Sequence, residues 1–267
     1  MDTTSPTDAP GADALSAILM AEDVSGALWS AVDSGRIDEL VPELPALRME
    51  QDPIHRHKDV LSHTIAVVAK TPDDVIVRLA ALFHDIAKPR TRSFEHGGVT
   101  FRHHEVVGSR MTRKRMEALG YDDATVDAVS ELVRLSGRFK GYADGWSDSA
   151  VRRYARDAGP LLGRLNALIR SDCTTRNKQK AADLQSAIDD LERRIAELAE
   201  EERRAAERPQ IDGQAVMAHL DTGGGRHVGD ALAMLLEVKR AEGELSDDEL
   251  YARLDAWWSE NRAGYDL

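Results

Sequence analysis

Ala80-Ala81-Leu82-Phe83-His84-Asp85-Ile86-Ala87-Lys88 is an apolar run that delivers an adjacent histidine and aspartate and then stops at Pro89. A carboxylate at the end of an apolar helix is costly to bury unless it is paired or bound to a cation. The imidazole beside it offers a second donor to the same divalent ion. His63 lies on an earlier helix whose apolar face is Val60, Leu61, Thr64, Ile65, Val67 and Val68. Asp172 ends a later helix at Ile169-Arg170-Ser171-Asp172. A lone buried histidine is more often part of a core than a ligand. His63, His84, Asp85 and Asp172 can converge in a helical bundle, and that combination makes them the predicted metal-binding set.

The rest of the chain supplies the setting for such a site. Its 267 residues, 42% hydrophobic and 31% charged, describe a soluble globular protein with a real core. No apolar run approaches a membrane span, and the amino terminus shows no basic-then-apolar leader pattern. The single cysteine, Cys173, excludes an internal disulfide and fits a reducing cytoplasm. The net charge of −12 is unevenly spread: residues 88–180 carry 19 Lys/Arg against 11 Asp/Glu, whereas both flanks are acidic. A basic centre in an acidic chain is either a set of solvated helix faces or an anion-binding surface. Its clustering around the candidate metal set favours the anion.

Residues 1–13 are rich in Ser, Thr, Pro and Asp and read as disordered, with residues 1–24 as a whole loosely attached. Leu15, Ile18 and Leu19, then Ala27, Leu28 and Val32, suggest two short helices. Further helices are predicted over 73–87, 104–118, 122–135, 147–157 and 160–172, with Gly97-Gly98 in a short loop between the first two. Leu184, Ile188, Leu191, Ile195 and Leu198 then form a heptad-like seam on a long charged helix. That seam packs against one neighbouring helix of this chain or against a second copy, giving a possible homodimer. No strand and no internal repeat emerges. The predicted fold is all-α: a helical bundle over 25–180, then the long helix and a small helical tail over 181–267.

Leu82-Phe83-His84-Asp85-Ile86-Ala87-Lys88, with His63 upstream and Asp172 far downstream, resembles the HD superfamily of metal-dependent phosphohydrolases. DPIHRHKDVLSHT, FRHHEVVGSRM, WSDSAVRRYARDAGPLL, RSDCTTRNKQKA and the IDG…VGDAL tail resemble the C-terminal portion of bacterial CCA-adding enzymes (tRNA nucleotidyltransferases), especially the actinobacterial type. Those enzymes begin with a nucleotidyltransferase head that holds magnesium on an Asp-x-Asp pair. No Asp-x-Asp occurs here, so the expectation is a free-standing body and tail that does not add nucleotides by itself.

The resemblance implies one divalent metal (Mn, Ni, Co or Mg) on the four ligands. Relatives carry histidines near the positions of Ser136 and Lys140, and their replacement argues against a second ion. Asp85 and Lys88 are the implied catalytic residues, the first orienting water and the second meeting a phosphate oxygen. The alternative for Lys88 is a solvent-facing lysine favoured by the helix dipole. Lys88, His104, Lys140, Arg152, Arg153, Arg176 and Lys178 are the candidate phosphate-binding residues. Tyr142, Trp146 and Tyr154 are available to stack on bases, although core packing is the favoured reading for Trp146 and Tyr154. His55 and His57 are expected as structural or rim residues, His103 at the surface, and Cys173 as a small buried side chain. The implied partners are a nucleotide or an RNA 3′ end, tRNA among them. The alternative reading is an RNA-binding body that serves a separate head without its own catalysis, and the bland one is a remnant without metal.

Overall fold

Short polar side chains decide where many of the helices start. Asp59, Asp74, Asp122, Ser147 and Asp212 each accept a hydrogen bond from a backbone N–H of the helix they precede. Ser246 and Glu249 close a reciprocal capping box at the last helix. The computed structural model describes residues 10–49, 59–95 and 98–265. In chain order the helices are α1 Pro10–Leu19, α2 Val24–Asp33, α3 Arg36–Leu40, α4 Val60–Val68, α5 Val75–Phe83, α6 Lys88–Thr91, α7 His104–Leu119, α8 Asp123–Leu135, α9 Asp148–Ala158 and α10 Leu162–Asp172. After them come α11 Lys178–Ala206, α12 Gly213–Leu220, α13 Arg226–Glu242 and α14 Asp247–Asn261. The all-α expectation is met apart from one small hairpin.

The chain forms two compact units, residues 1–196 and 197–267. In the first, α5 is the central element: Leu79, Ala80, Ala81, Leu82 and Phe83 are wholly buried. It packs against α4, α8 and α10. A helix whose last five residues are buried on all sides has no freedom to slide there, so its C-terminal end is a fixed point. The second unit has its own core of Val216, Ala231, Leu235, Leu250 and Leu254.

Three expectations are corrected. The segment up to residue 24 is attached from Pro10 onward: Leu15 and Leu19 are fully buried, and the Tyr121 hydroxyl donates to the Ala12 carbonyl at 3.1 Å. The alternation of small and apolar positions in PGADALSAIL was too short to outweigh the disorder-like composition before it. The region expected to be a plain loop around Gly97-Gly98 contains an antiparallel pair, β1 Arg92–Glu95 and β2 Gly98–Phe101, with Ser93 opposite Thr100 and their hydroxyls 2.8 Å apart. Four-residue strands are too short to show a period.

The third correction concerns the boundary expected at residue 180, which falls instead after residue 196, in the second half of α11. Ile188 and Leu191 of the seam are buried, the Tyr142 hydroxyl donates to Asp190 at 2.5 Å, and Asn166 donates to Glu192 at 2.9 Å. This half of the seam is therefore covered inside its own chain and needs no second copy. Among the described residues no helix is long and apolar enough to cross a membrane.

Candidate metal centre

α4 presents His63, the end of α5 presents His84 and Asp85, and the last residue of α10 is Asp172. His84 caps α5, and its Nδ1 donates to the Ala81 carbonyl at 2.7 Å. In the neutral ring this fixes the tautomer and leaves the Nε2 lone pair directed into the site. His63 Nδ1 lies 2.9 Å from the Thr174 hydroxyl, which orients the ring and, able to donate or accept, suits either tautomer. Outer hydrogen bonds of this kind are how metal-binding imidazoles are oriented.

The four donors gather closely. His63 Nε2 lies 2.9 Å from Asp172 Oδ1 and 3.7 Å from Asp85 Oδ2. His84 Nε2 lies 3.2 Å from Asp85 Oδ2 and 3.6 Å from Asp172 Oδ1. Neighbouring ligands on an octahedral ion with bonds of 2.0–2.1 Å stand about 3 Å apart. One buried atom makes the case sharper: His84 Nε2 has no hydrogen-bond partner, although two carboxylates stand beside it. A buried imidazole nitrogen left unsatisfied costs free energy, and a cation at that point removes the cost. The donor set therefore fits a divalent ion, and His63, His84 and Asp85 alone already form a buried group able to hold one.

The electrostatics agree. Burial opposes charge on both groups, yet His84 holds the Asp85 carboxyl well below the usual carboxylate range, with help from Lys88 and His63. Burial also disfavours an imidazolium at His84, but Asp85 and Asp172 outweigh it and push that group up to about 10. Asp172 is lowered as well, against its own desolvation, by His63 and then His84. One buried carboxylate, Asp85, and one half-exposed carboxylate, Asp172, thus favour positive charge at the point where the donors meet.

Lys88 is buried, which rules out the solvent-facing alternative. Its ammonium donates to Asp85 Oδ2 at 2.7 Å and lies 5.6 Å from the centre of the Phe101 ring. His104 is also buried; its Nδ1 donates to the Phe101 carbonyl at 2.8 Å, and its Nε2 lies 3.6 Å from Asp85 Oδ1. Burial pushes the His104 imidazolium pKa down, so this ring is neutral near pH 7. The centre opens into a cleft of about 990 Å³, lined on its apolar parts by Val99, Phe101 and Leu184 and on its basic parts by Lys140, Arg176 and Lys180.

Of the candidate phosphate-binding residues, Lys88, His104, Lys140 and Arg176 line this cleft. Arg152, Arg153 and Lys178 do not; Arg153 lines a separate recess. Lys140 pairs with Glu105 at 3.0 Å rather than with the candidate metal ligands. Ser136 spends its hydroxyl on the Val133 carbonyl at 2.9 Å. Tyr142 and Tyr154 are buried and bonded to Asp190 and Asn166, which makes them packing residues. Cys173 lines the cleft half-buried rather than sitting in the core. His103 lies in the left-handed region at φ 60°, and His55 and His57 lie outside the described residues. Thr174, Lys180, Val99 and Phe101 were missed. Thr174 sits two positions beyond Asp172, a signal that was available; the other three depend on tertiary placement.

A buried His-Asp pair joined by a distant histidine and aspartate on a helical scaffold defines a class, and the comparisons agree with it. The chain belongs to the HD domain family, whose model matches residues 60–223. It is 30% identical over 262 residues to the A-adding tRNA nucleotidyltransferase of Deinococcus radiodurans, covering 94% of this chain and 58% of that protein. It is 30% identical over 239 residues to the CC-adding tRNA nucleotidyltransferase of Thermus thermophilus, covering 85% of this chain and 51% of that protein. The chain thus spans a little over half the length of the curated relatives it matches.

Proposed function

We propose that this chain is a metal-dependent phosphohydrolase acting on a nucleotide or RNA-end phosphate, with one divalent ion, Mn, Ni, Co or Mg, held by His63, His84, Asp85 and Asp172. The observation that carries the reading is the buried, unsatisfied His84 Nε2 facing two carboxylates at the floor of a basic cleft. The bound ion would supply Lewis acidity, making water nucleophilic near neutral pH and polarising the phosphoryl oxygen. Asp85 uses one oxygen toward the ligands and Lys88, leaving Oδ1 to orient the attacking water. Lys88, held between Asp85 and Phe101, donates to a phosphate oxygen as charge builds there. Lys140, Arg176 and Lys180 gather the substrate's remaining negative charge.

With Mn²⁺ or Ni²⁺ the purified protein is expected to hydrolyse 2′,3′-cyclic AMP or p-nitrophenyl phosphate. Asp85→Ala or a chelator should lower the rate by at least about 100-fold, the scale of losing a positioned catalytic group. No turnover across divalent metals, together with no bound ion by elemental analysis, defeats this reading. Two ions per chain would defeat only the single-ion part.

A second reading is favoured by the match to tRNA nucleotidyltransferases over 94% of the chain: an RNA-binding body that works with a nucleotidyltransferase head. A tRNA gel shift that Asp85→Ala leaves unchanged, in a protein without hydrolytic activity, would support it.

A further inference from the structure

The turn after α8 separates two cavities. Ser136 and Gly137 line the metal cleft, whereas Leu135 and Arg138 line a smaller recess of about 310 Å³. Lys140 lines both. The recess is also bounded by Trp146, Tyr154 and Arg153. Its charged lining is three cations, Arg138, Lys140 and Arg153, against the single carboxylate of Asp157. Arg138 pairs with Asp157 at 3.2 Å and Lys140 with Glu105 at 3.0 Å, whereas Arg153 is exposed and pairs with no carboxylate among the described residues.

Trp146 is built as a platform rather than as filling. Its ring is held by Tyr142 at 5.3 Å and Tyr154 at 5.6 Å between centroids, with Phe139 at 6.5 Å. The Trp146 carbonyl accepts from Arg194 at 2.9 Å, which fixes the backbone beneath it. Yet the side chain remains half-buried, and part of it faces the recess. An aromatic face already immobilised loses little entropy when a planar ligand stacks on it. Flanking guanidinium groups suit the phosphates on either side of that ligand.

We infer that the recess is a second nucleoside subsite, so that the substrate of the metal cleft is the end of a single nucleic-acid strand of at least two nucleotides, with the penultimate base on Trp146 and the linking phosphate at Lys140. The inference rests on the hydrolase reading for its catalytic consequence. A mononucleotide occupies the cleft alone and leaves the recess and its cations unused. A strand uses both, and continuity through Lys140 makes the linking phosphate the natural bridge.

The test compares two RNA substrates of the Mn²⁺-loaded full chain, both ending in adenosine 2′,3′-cyclic phosphate: the mononucleotide and a trinucleotide. The trinucleotide is expected to show about tenfold higher kcat/KM, the scale of one stacked base. Trp146→Ala and, separately, Arg153→Gln should bring the trinucleotide-to-mononucleotide ratio toward one. Arg153 is exposed, so Arg153→Gln keeps the test sound if Trp146→Ala fails to fold; Trp146→Phe should retain most of the preference. Equal kcat/KM for the two substrates, or a preference that neither variant alters, overturns the subsite and leaves the hydrolase reading standing. If no phosphoester is turned over at all, the hydrolase reading fails by itself. Fluorescence anisotropy of a labelled trinucleotide then judges the subsite: a severalfold loss of affinity in both variants supports it, and unchanged affinity in both overturns it.

Discussion

Asp85 is approached by Lys88 at 2.7 Å, by His84 at 3.2 Å and by His63 at 3.7 Å, and this crowding sets how the site responds to change. Lys88 and a divalent ion compete for the same oxygen. Lys88→Met should therefore tighten metal binding, by about tenfold or more, because a hydrogen bond to a charged group is worth roughly 1.5–3 kcal/mol. Turnover should fall in the same variant. Calorimetric titration with Mn²⁺ checks the first effect, and weaker binding would contradict the competition. In the metal-free protein, His84 is pushed from its ordinary 6.5 up to about 10. A raised pKa gives stability that is complete below about pH 6.5 and lost as pH rises through about 10. Melting temperature in chelator should fall across that window, and Asp172→Asn should flatten the fall. The adjacency of His84 and Asp85 made this part of the site legible in the sequence. The burial of Lys88 was not, since a lysine at a helix end reads equally as solvated until Phe101 is known to cover it.

Single elements carry the geometry between these residues. Asp74 accepts hydrogen bonds from Ile76 and Val77 at the start of α5 and from Arg164 of α10 at 2.8 Å. It thus ties the helix that ends in His84 to the helix that ends in Asp172. Asp74→Ala should cost about 1–2 kcal/mol, typical of a lost N-cap, while Asp74→Asn should recover most of it because the amide oxygen still caps. Urea denaturation measures both, and equal losses would show that the Arg164 link outweighs the cap. Helices of this length were readable from apolar spacing and caps. The β1–β2 hairpin was not, because Arg92–Glu95 and Gly98–Phe101 are each too short to alternate visibly. That omission hid part of the cleft wall, since Val99 and Phe101 line it.

At the scale of the whole molecule, the change of composition after residue 180 suggested a boundary that packing does not respect. The seam spacing announced a long helix correctly but not what it packs against, since a narrow apolar stripe fits an intramolecular neighbour or a second copy equally well. A fragment ending at residue 196 should give a sharp thermal transition. One ending at 180 loses Ile188, Leu191 and the contacts of Asp190 and Glu192, and should melt broadly or not fold. Circular dichroism separates the two, and equal melts would return the boundary to 180. The proposed ligands span residues 63 to 172 and come from three helices, so an ion bound there would also be a tie across much of the first unit. Anything that binds only the folded chain raises its stability by mass action, about 2.7 kcal/mol at a hundred times the dissociation constant. A thermal-shift series across divalent ions would then rank the metals before any substrate is found, with the fold itself serving as the indicator.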